Sequence, residues 1–338
     1  MSEPIRPRVL VAMPVFDEVL ARLGDYFEVD APCGSDDYIE WTHEALVARL
    51  QGCVGVAVAS SPRIDAALLA ACPDLRVVAS MAVGYNNIDL AACTARGVLV
   101  SNAPDVLTET TADFGFALMM ATARRITEAE HFLRAGRWTH WAYNLLSGAD
   151  VHGSTLGVLG MGRIGQAIAR RGALGFGMKV VYHNRSRLDA SIEQQLGARW
   201  VGKDELMREA DHLVIVVPYS PASHHLVGAA ELALMKLGAT LTNIARGGVV
   251  DDAALALALR ERRLFAAGLD VFEGEPALNP DLLTLPNVVL TPHIASASVP
   301  TRRAMADLEA TNLIAALDFG PDAGRPPTAL NPEVLALR

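Results

Sequence analysis

Cysteine is scarce in this chain. Four residues, Cys33, Cys53, Cys72 and Cys93, occur in 338. None forms a C-x-x-C pair, so the sequence indicates neither a zinc site nor a disulfide framework, and reduced, mostly buried thiols are expected. No apolar run approaches the roughly 18 residues needed to cross a bilayer. The opening MSEPIRPRVLVAM lacks the layout of a signal peptide, because Arg8 leads straight into a strand-like run. A cytoplasmic protein is therefore expected. Positive charge is in the minority: 29 Lys and Arg against 38 Asp and Glu leave a net −9. That balance speaks against nucleic acid or an anionic membrane as a partner. Internal repeats and low-complexity tracts are lacking too. What is present is ample apolar material, 51% hydrophobic residues against 20% charged. The chain can fill a large core, and its length suggests about two domains.

The first hundred residues alternate strand and helix patterns. Val9 to Ala12, Gly55 to Ala59, Arg76 to Ser80 and Gly97 to Ser101 read as strands, with helical stretches at Val15 to Leu23 and Ala66 to Cys72. Such alternation implies parallel βαβ units. A long helical pattern follows from Thr110 to Arg125, then an irregular segment with Trp138 and Trp141. A second series has strands at Leu156–Leu159, Lys179–Tyr182, His212–Val217, Ala239–Asn243, Ala266–Asp270 and Val288–Leu290. Six strands with intervening helices match a doubly wound sheet of two mononucleotide-binding halves. A last helix, Arg302 to Leu317, lies beyond the final strand and can return to the first domain, making that domain discontinuous.

The second series opens on a G-x-G-x-x-G run, Gly160-Met161-Gly162-Arg163-Ile164-Gly165. A strand precedes it and a helix follows, which is the context a dinucleotide site requires. Gly160 permits the tight turn, Gly162 lets the backbone approach a pyrophosphate, and Gly165 lets the helix pack on the strand. The helix N-terminus offers free N–H groups to the phosphates. An NAD site has an acid at the end of the next strand, about 20 residues on. Here that place holds Asn184, followed by Arg185, Ser186 and Arg187, with no carboxylate before Asp189. A carboxylate would repel the 2′-phosphate of NADP, whereas two guanidiniums and a hydroxyl can bind it. Each charged hydrogen bond contributes about 1.5–3 kcal/mol, roughly tenfold to a hundredfold in affinity. NADP(H) is the expected cofactor.

Three further clusters each put a charged or titratable residue just after a strand: Asn243 to Asp251 with Arg246, Gly268 to Pro276 with Glu275, and Thr291 to Ser296 with His293. Ligands of open α/β sheets bind beyond the carboxyl ends of the strands, so these three side chains are expected to converge beside the cofactor. Spacing alone does not separate Glu275 from Glu273. With Ala82 to Asp89 and Asn102 to Thr108, these clusters resemble the signature of the D-isomer-specific 2-hydroxyacid dehydrogenases, over nearly the whole chain. The Ala82 to Asp89 run and Asn184 to Arg187 are most similar to the glyoxylate/hydroxypyruvate reductases of that family.

The resemblance implies two doubly wound α/β domains. Residues 1–102 and 299–338 would form a flavodoxin-like substrate domain, and 103–298 a Rossmann NADP-binding domain. It implies reduction of a small 2-ketoacid, with His293 as general acid, Glu275 hydrogen-bonded to it, and Arg246 binding the substrate carboxylate and polarising the carbonyl. Val83 and Gly84 would offer backbone N–H groups to the same carboxylate. Arg163, Ile164, Pro218, Ile244, Ala245 and Asp270 map onto cofactor contacts, Asp270 at the nicotinamide amide. Trp138 and Trp141 fall where the family builds its dimer contact, so a homodimer is expected. The sequence departs from the family pattern at Pro218-Tyr219-Ser220, usually Pro-Leu-Thr, at Ala295, often Gly, and in the small polar Val58-Ala59-Ser60-Ser61. A reductase of broader 2-ketoacids, or a nucleotide-sensing binding protein on the same fold, remain alternatives.

Overall fold

The computed structural model describes residues 6–32 and 40–337. Cys33 lies outside them. The chain divides into two compact units, Met1–Leu107 with Ser298–Arg338, and Thr108–Ala297.

The first unit carries β1 (Arg8–Val11), β2 (Glu28–Asp30), β3 (Cys53–Val58), β4 (Val77–Ser80) and β5 (Leu99–Ser101). All pair in parallel, in the order β2-β1-β3-β4-β5. This is the flavodoxin-like order. The apolar runs of the sequence became β1, β3, β4 and β5 because they are buried on both faces, as parallel strands with helices on either side must be. The edge strand β2 gave no such signal, being three residues long and without a buried member. Aspartates start two of the helices. Asp65 accepts from the N–H groups of Ala67 and Leu68, and Asp89 from that of Ala92, filling donors that a helix end leaves open. Cys53, Cys72 and Cys93 are buried free thiols, and burial pushes the Cys93 thiol up to about 12.

The C-terminal helix spans Val299–Ala316, with Ser298 as its N-cap and Pro300 in its first turn. It begins earlier than Arg302, since proline is tolerated where the N–H is unpaired anyway. The helix packs against β3 and β4 and buries Glu309 between them, with Oε1 lacking any partner among the described residues.

The second unit holds seven parallel strands: β6 (Thr155–Leu159), β7 (Lys179–His183), β8 (Ala198–Trp200), β9 (His212–Ile215), β10 (Thr240–Asn243), β11 (Ala266–Leu269) and β12 (Val288–Leu290). Their order is β12-β11-β10-β9-β6-β7-β8. Counted from β6 this is the dinucleotide-binding order with one strand added. The sequence reading had six strands. It missed β8, an edge strand of Ala198, Arg199 and Trp200 with no apolar run. Alternate residues feed two cores. Val181, Leu213 and Ile215 join one, and Val180, Tyr182 and Val214 the other, so the sheet is covered on both faces. The helix that follows the glycine run is α-helical over Arg163–Arg170 and closes in a π turn at Arg171–Gly175. The stretch after Thr108–Ala123 is not wholly irregular: Ile126–Arg134 is a helix, entered through Arg125 in the left-handed region at φ 53°. It buries no residue within the chain.

Candidate active site

The glycine loop has the form its residue types require. Gly160 sits at φ 103°, and a Cβ there would lie 2.8 Å from the Val216 carbonyl carbon. A Cβ on Gly165 would come within 2.2 Å of the Gly160 oxygen, so the helix start and the strand end touch through bare backbone. Gly162 faces open space: a Cβ would meet nothing within 4 Å. The N-terminus of Arg163–Arg170 is thus open on the side where a pyrophosphate would lie. Arg163 is exposed and Ile164 half-buried.

At the end of β7, Asn184 is tied to this loop. Its Oδ1 accepts from the Met161 N–H at 2.6 Å, and its carbonyl from the Trp200 indole at 3.1 Å. Arg185 and Ser186 are exposed, and their side chains make no hydrogen bond among the described residues. Arg187 differs from expectation. It forks onto Glu193 at 2.9 and 2.6 Å. Glu193 also accepts from the buried Tyr182 hydroxyl at 2.7 Å, and Tyr182 accepts in turn from the Leu188 N–H at 2.8 Å. The Arg187 guanidinium, then the Tyr182 hydroxyl, hold the Glu193 carboxyl below its usual range. One of the two guanidiniums read as a phosphate grip is therefore already neutralised. Nothing local marked Glu193 as its partner, since the contact is made by the fold of the loop.

The three downstream clusters lie just beyond β10, β11 and β12. His293 Nδ1 and Glu275 Oε2 are 2.8 Å apart, and Glu275 Oε1 accepts from the Phe272 N–H at 2.7 Å. Desolvation pushes the Glu275 carboxyl up, but the His293 hydrogen bond, the Phe272 N–H and the charge of Arg246 outweigh it and hold the group low. Arg246 is half-buried and donates to the Ala245 carbonyl at 2.8 Å. Burial pulls its guanidinium down, with Glu275 opposing the pull. Asn243, which sequence reading passed over, shapes this turn: its Oδ1 accepts from the Ala245 N–H at 3.1 Å and its amide reaches the Arg246 carbonyl at 3.4 Å. Of the two acids left open by spacing, the structure puts Glu275 on His293 and Glu273 on His225.

Asp270, mapped by resemblance onto the nicotinamide amide, has both side-chain oxygens engaged within the protein. It is fully buried, and its oxygens accept from the Thr291 hydroxyl and the N–H groups of Ile294 and Ala295 at 2.7–2.9 Å. Desolvation raises its carboxyl despite these donors. The side chain is spent on holding the His293 loop, whose His293 N–H donates to the Asp270 carbonyl at 2.9 Å. His293 itself adopts φ 52°, a left-handed conformation that these bonds keep in place. Ile244 and Ala245 are buried in the two cores, and their N–H groups donate to the Ile215 carbonyl and to Asn243 Oδ1. Pro218 is exposed, and its carbonyl accepts from Ser223 Oγ at 2.9 Å. In the first unit, Val83 and Gly84 are half-buried after β4. The Asn102 amide holds the Val83 carbonyl at 2.8 Å, and the N–H groups of both residues donate to nothing among the described residues.

Comparison with known proteins gives this arrangement a lineage. Residues 116–295 match the D-isomer specific 2-hydroxyacid dehydrogenase, NAD binding domain. The glyoxylate reductase of Thermococcus onnurineus is 44% identical over 338 residues, covering 99% of this chain and 98% of that protein. The chain belongs to the D-isomer-specific 2-hydroxyacid dehydrogenase family. It is accordingly an oxidoreductase enzyme, and its second unit contains the family's NAD-binding domain. Glyoxylate/hydroxypyruvate reductase B of Klebsiella pneumoniae is 43% identical over 315 residues, 93% of this chain and 96% of that one. Among solved structures, the NADPH-dependent glyoxylate/hydroxypyruvate reductase of Sinorhizobium meliloti, in complex with NADP and malonate, is 37% identical with a TM-score of 0.84, over 97% of this chain and 98% of that one. No helix of the described residues is long and apolar enough to cross a membrane.

Proposed function

We infer that this dehydrogenase reduces a small 2-ketoacid, glyoxylate to glycolate or hydroxypyruvate to D-glycerate, with NADPH as donor. The observation that carries the reading is the His293–Glu275 pair at 2.8 Å beside a desolvated Arg246. NADPH, when bound, supplies the hydride. The carbonyl oxygen then needs a proton. Because Glu275 engages Nδ1, Nε2 of His293 is the nitrogen free to deliver it. Arg246 binds the substrate carboxylate and stabilises charge growing on the oxygen, as a planar, permanently charged fork in a desolvated place does well. The two unused N–H groups of Val83 and Gly84 suit a carboxylate as well.

The cofactor preference rests on Asn184, Arg185 and Ser186. An amide in place of an acid removes repulsion of a 2′-phosphate, and the exposed Arg185 guanidinium has no competing partner among the described residues. The Sinorhizobium relative is NADPH-dependent by name, which supports the same choice. The deciding experiment compares kcat/KM with NADPH and NADH, over glyoxylate, hydroxypyruvate and bulkier 2-ketoacids. Preference for NADPH and the two small acids is expected. Equal or better use of NADH sinks the cofactor assignment, and faster turnover of bulky acids replaces the substrate assignment with a broader reductase. We further place the enzyme in the cytoplasm, consistent with its buried free thiols, and as a homodimer built on the exposed segment around Trp138 and Trp141.

A further inference from the structure

The most unusual cluster outside the catalytic group lies in the second unit. His224 and His225 follow the loop after β9, and Glu273 lies on the loop after β11. One ligand atom from each lies within 4.8 Å of the others. His225 Nε2 is 3.1 Å from both Glu273 oxygens. A tetrahedral ion with bonds of roughly 2.1 Å sets its ligand atoms about 3.4 Å apart, so small side-chain shifts bring these atoms around one ion.

Three features go beyond an ordinary ion pair. First, one nitrogen of each ring faces an outer partner. His224 Nδ1 is 3.2 Å from the Tyr219 hydroxyl, and His225 Nδ1 is 3.8 Å from Asp251. Imidazoles bound to metals have this arrangement, the outer group fixing the tautomer and turning the lone pair of the second nitrogen to the ion. Second, His225 sits in the left-handed region at φ 49°, held by its N–H on the Gly248 carbonyl at 2.7 Å. A non-glycine residue there is uncommon, and the bond fixes the direction in which the ring leaves the backbone. Third, the two imidazoles are stacked with centroids 3.9 Å apart, so their edges lie side by side. His224 is exposed and can turn about its side-chain bonds to bring Nε2 to the ion.

We propose that His224, His225 and Glu273 form a binding site for a divalent transition ion of the kind imidazole prefers, Zn2+ foremost, with water completing the shell. The ion joins the loop after β9 to the loop that carries Glu275, two residues beyond Glu273. It takes no part in hydride transfer.

The test uses the untagged full chain, Zn2+ alone as probe, and titration calorimetry. One equivalent of Zn2+ per chain is expected. His224→Ala and Glu273→Gln should each weaken it tenfold or more. Asp251→Asn should weaken it about 10–100-fold, as loss of an outer partner does, while asparagine still caps the helix Asp252–Arg260, whose Ala254 N–H donates to Asp251. The thermal midpoint should rise with Zn2+ in the parent protein and stay fixed in the His224→Ala/Glu273→Gln double variant, because an ion bound only by the folded chain stabilises it. Equal Zn2+ uptake by the parent and the double variant, or no uptake by the parent, overturns the proposal. Neither readout depends on turnover, so failure here is distinct from failure of the reductase assignment.

Discussion

His293 is placed by two acids with different tasks. Glu275 holds the ring through Nδ1, and Asp270 holds the backbone of the loop. His293→Ala should lower kcat about 10²–10⁴-fold, the usual loss for a general acid, and a steady-state assay with NADPH and glyoxylate measures it. Asn184→Asp should move preference toward NADH, read from the ratio of kcat/KM for the two cofactors; an unchanged ratio would put the phosphate elsewhere. A third expectation concerns Glu309, whose carboxyl burial raises well above its usual value, against a smaller pull from the N–H groups of Val58 and Met81. Its folded pKa exceeds the unfolded one, so its contribution is fully present below the unfolded value and is lost as pH rises toward and through the folded one. Glu309→Gln should therefore flatten the fall of the unfolding midpoint on the alkaline side, measured by denaturation at a series of pH values. Of these residues, His293, Glu275 and Asn184 were legible because each stands beside a strand end or a glycine motif. Glu309 was not, because its burial follows from which strands the helix covers, and neither was the Arg187–Glu193 pair, which only the fold of the loop brings together.

Among the elements, the glycine loop offers the sharpest contrast. Gly165→Ala puts a methyl 2.2 Å from backbone, an overpacking that costs about 1–3 kcal/mol or more, visible as a lower denaturation midpoint. Gly162→Ala meets no atom within 4 Å. It should unfold like the parent yet bind NADPH more weakly, which calorimetry separates from a stability effect; unaltered affinity would show that the pyrophosphate does not approach Gly162. Strands β6, β7, β9, β10 and β11 were readable from apolar runs buried on both faces, and β12 from an apolar run that is half-buried. Of the four edge strands, β5 and β12 carry apolar runs, whereas β2 and β8 were not readable because a charged residue interrupts or flanks their few apolar ones and none of their residues is buried. The helix Ile126–Arg134 was missed for a different reason: none of its residues is fully buried among the described residues, and helix reading assumes that an apolar stripe meets a core.

For the molecule as a whole, the exposure of that helix and of the segment after it is the most telling fact. Ile126, Leu133, Trp138, Trp141 and Tyr143 are all more than half exposed in a single segment, a concentration of apolar area that marks an interaction surface. In the proposed homodimer this surface is covered by a second copy. Trp138→Ala/Trp141→Ala should weaken pairing, seen as a lower mass by light scattering at micromolar concentration. The same exposure makes assembly visible to light of another kind. Two of the chain's four tryptophans stand in water here, so the fluorescence of the separated chain should be weighted toward wet, long-wavelength indole emission. Pairing would shift it toward the blue on concentration. A third indole, Trp200, donates to the Asn184 carbonyl, at the place proposed for the adenosine end of the cofactor, and its emission should respond to NADPH and leave the colour of the other two unchanged.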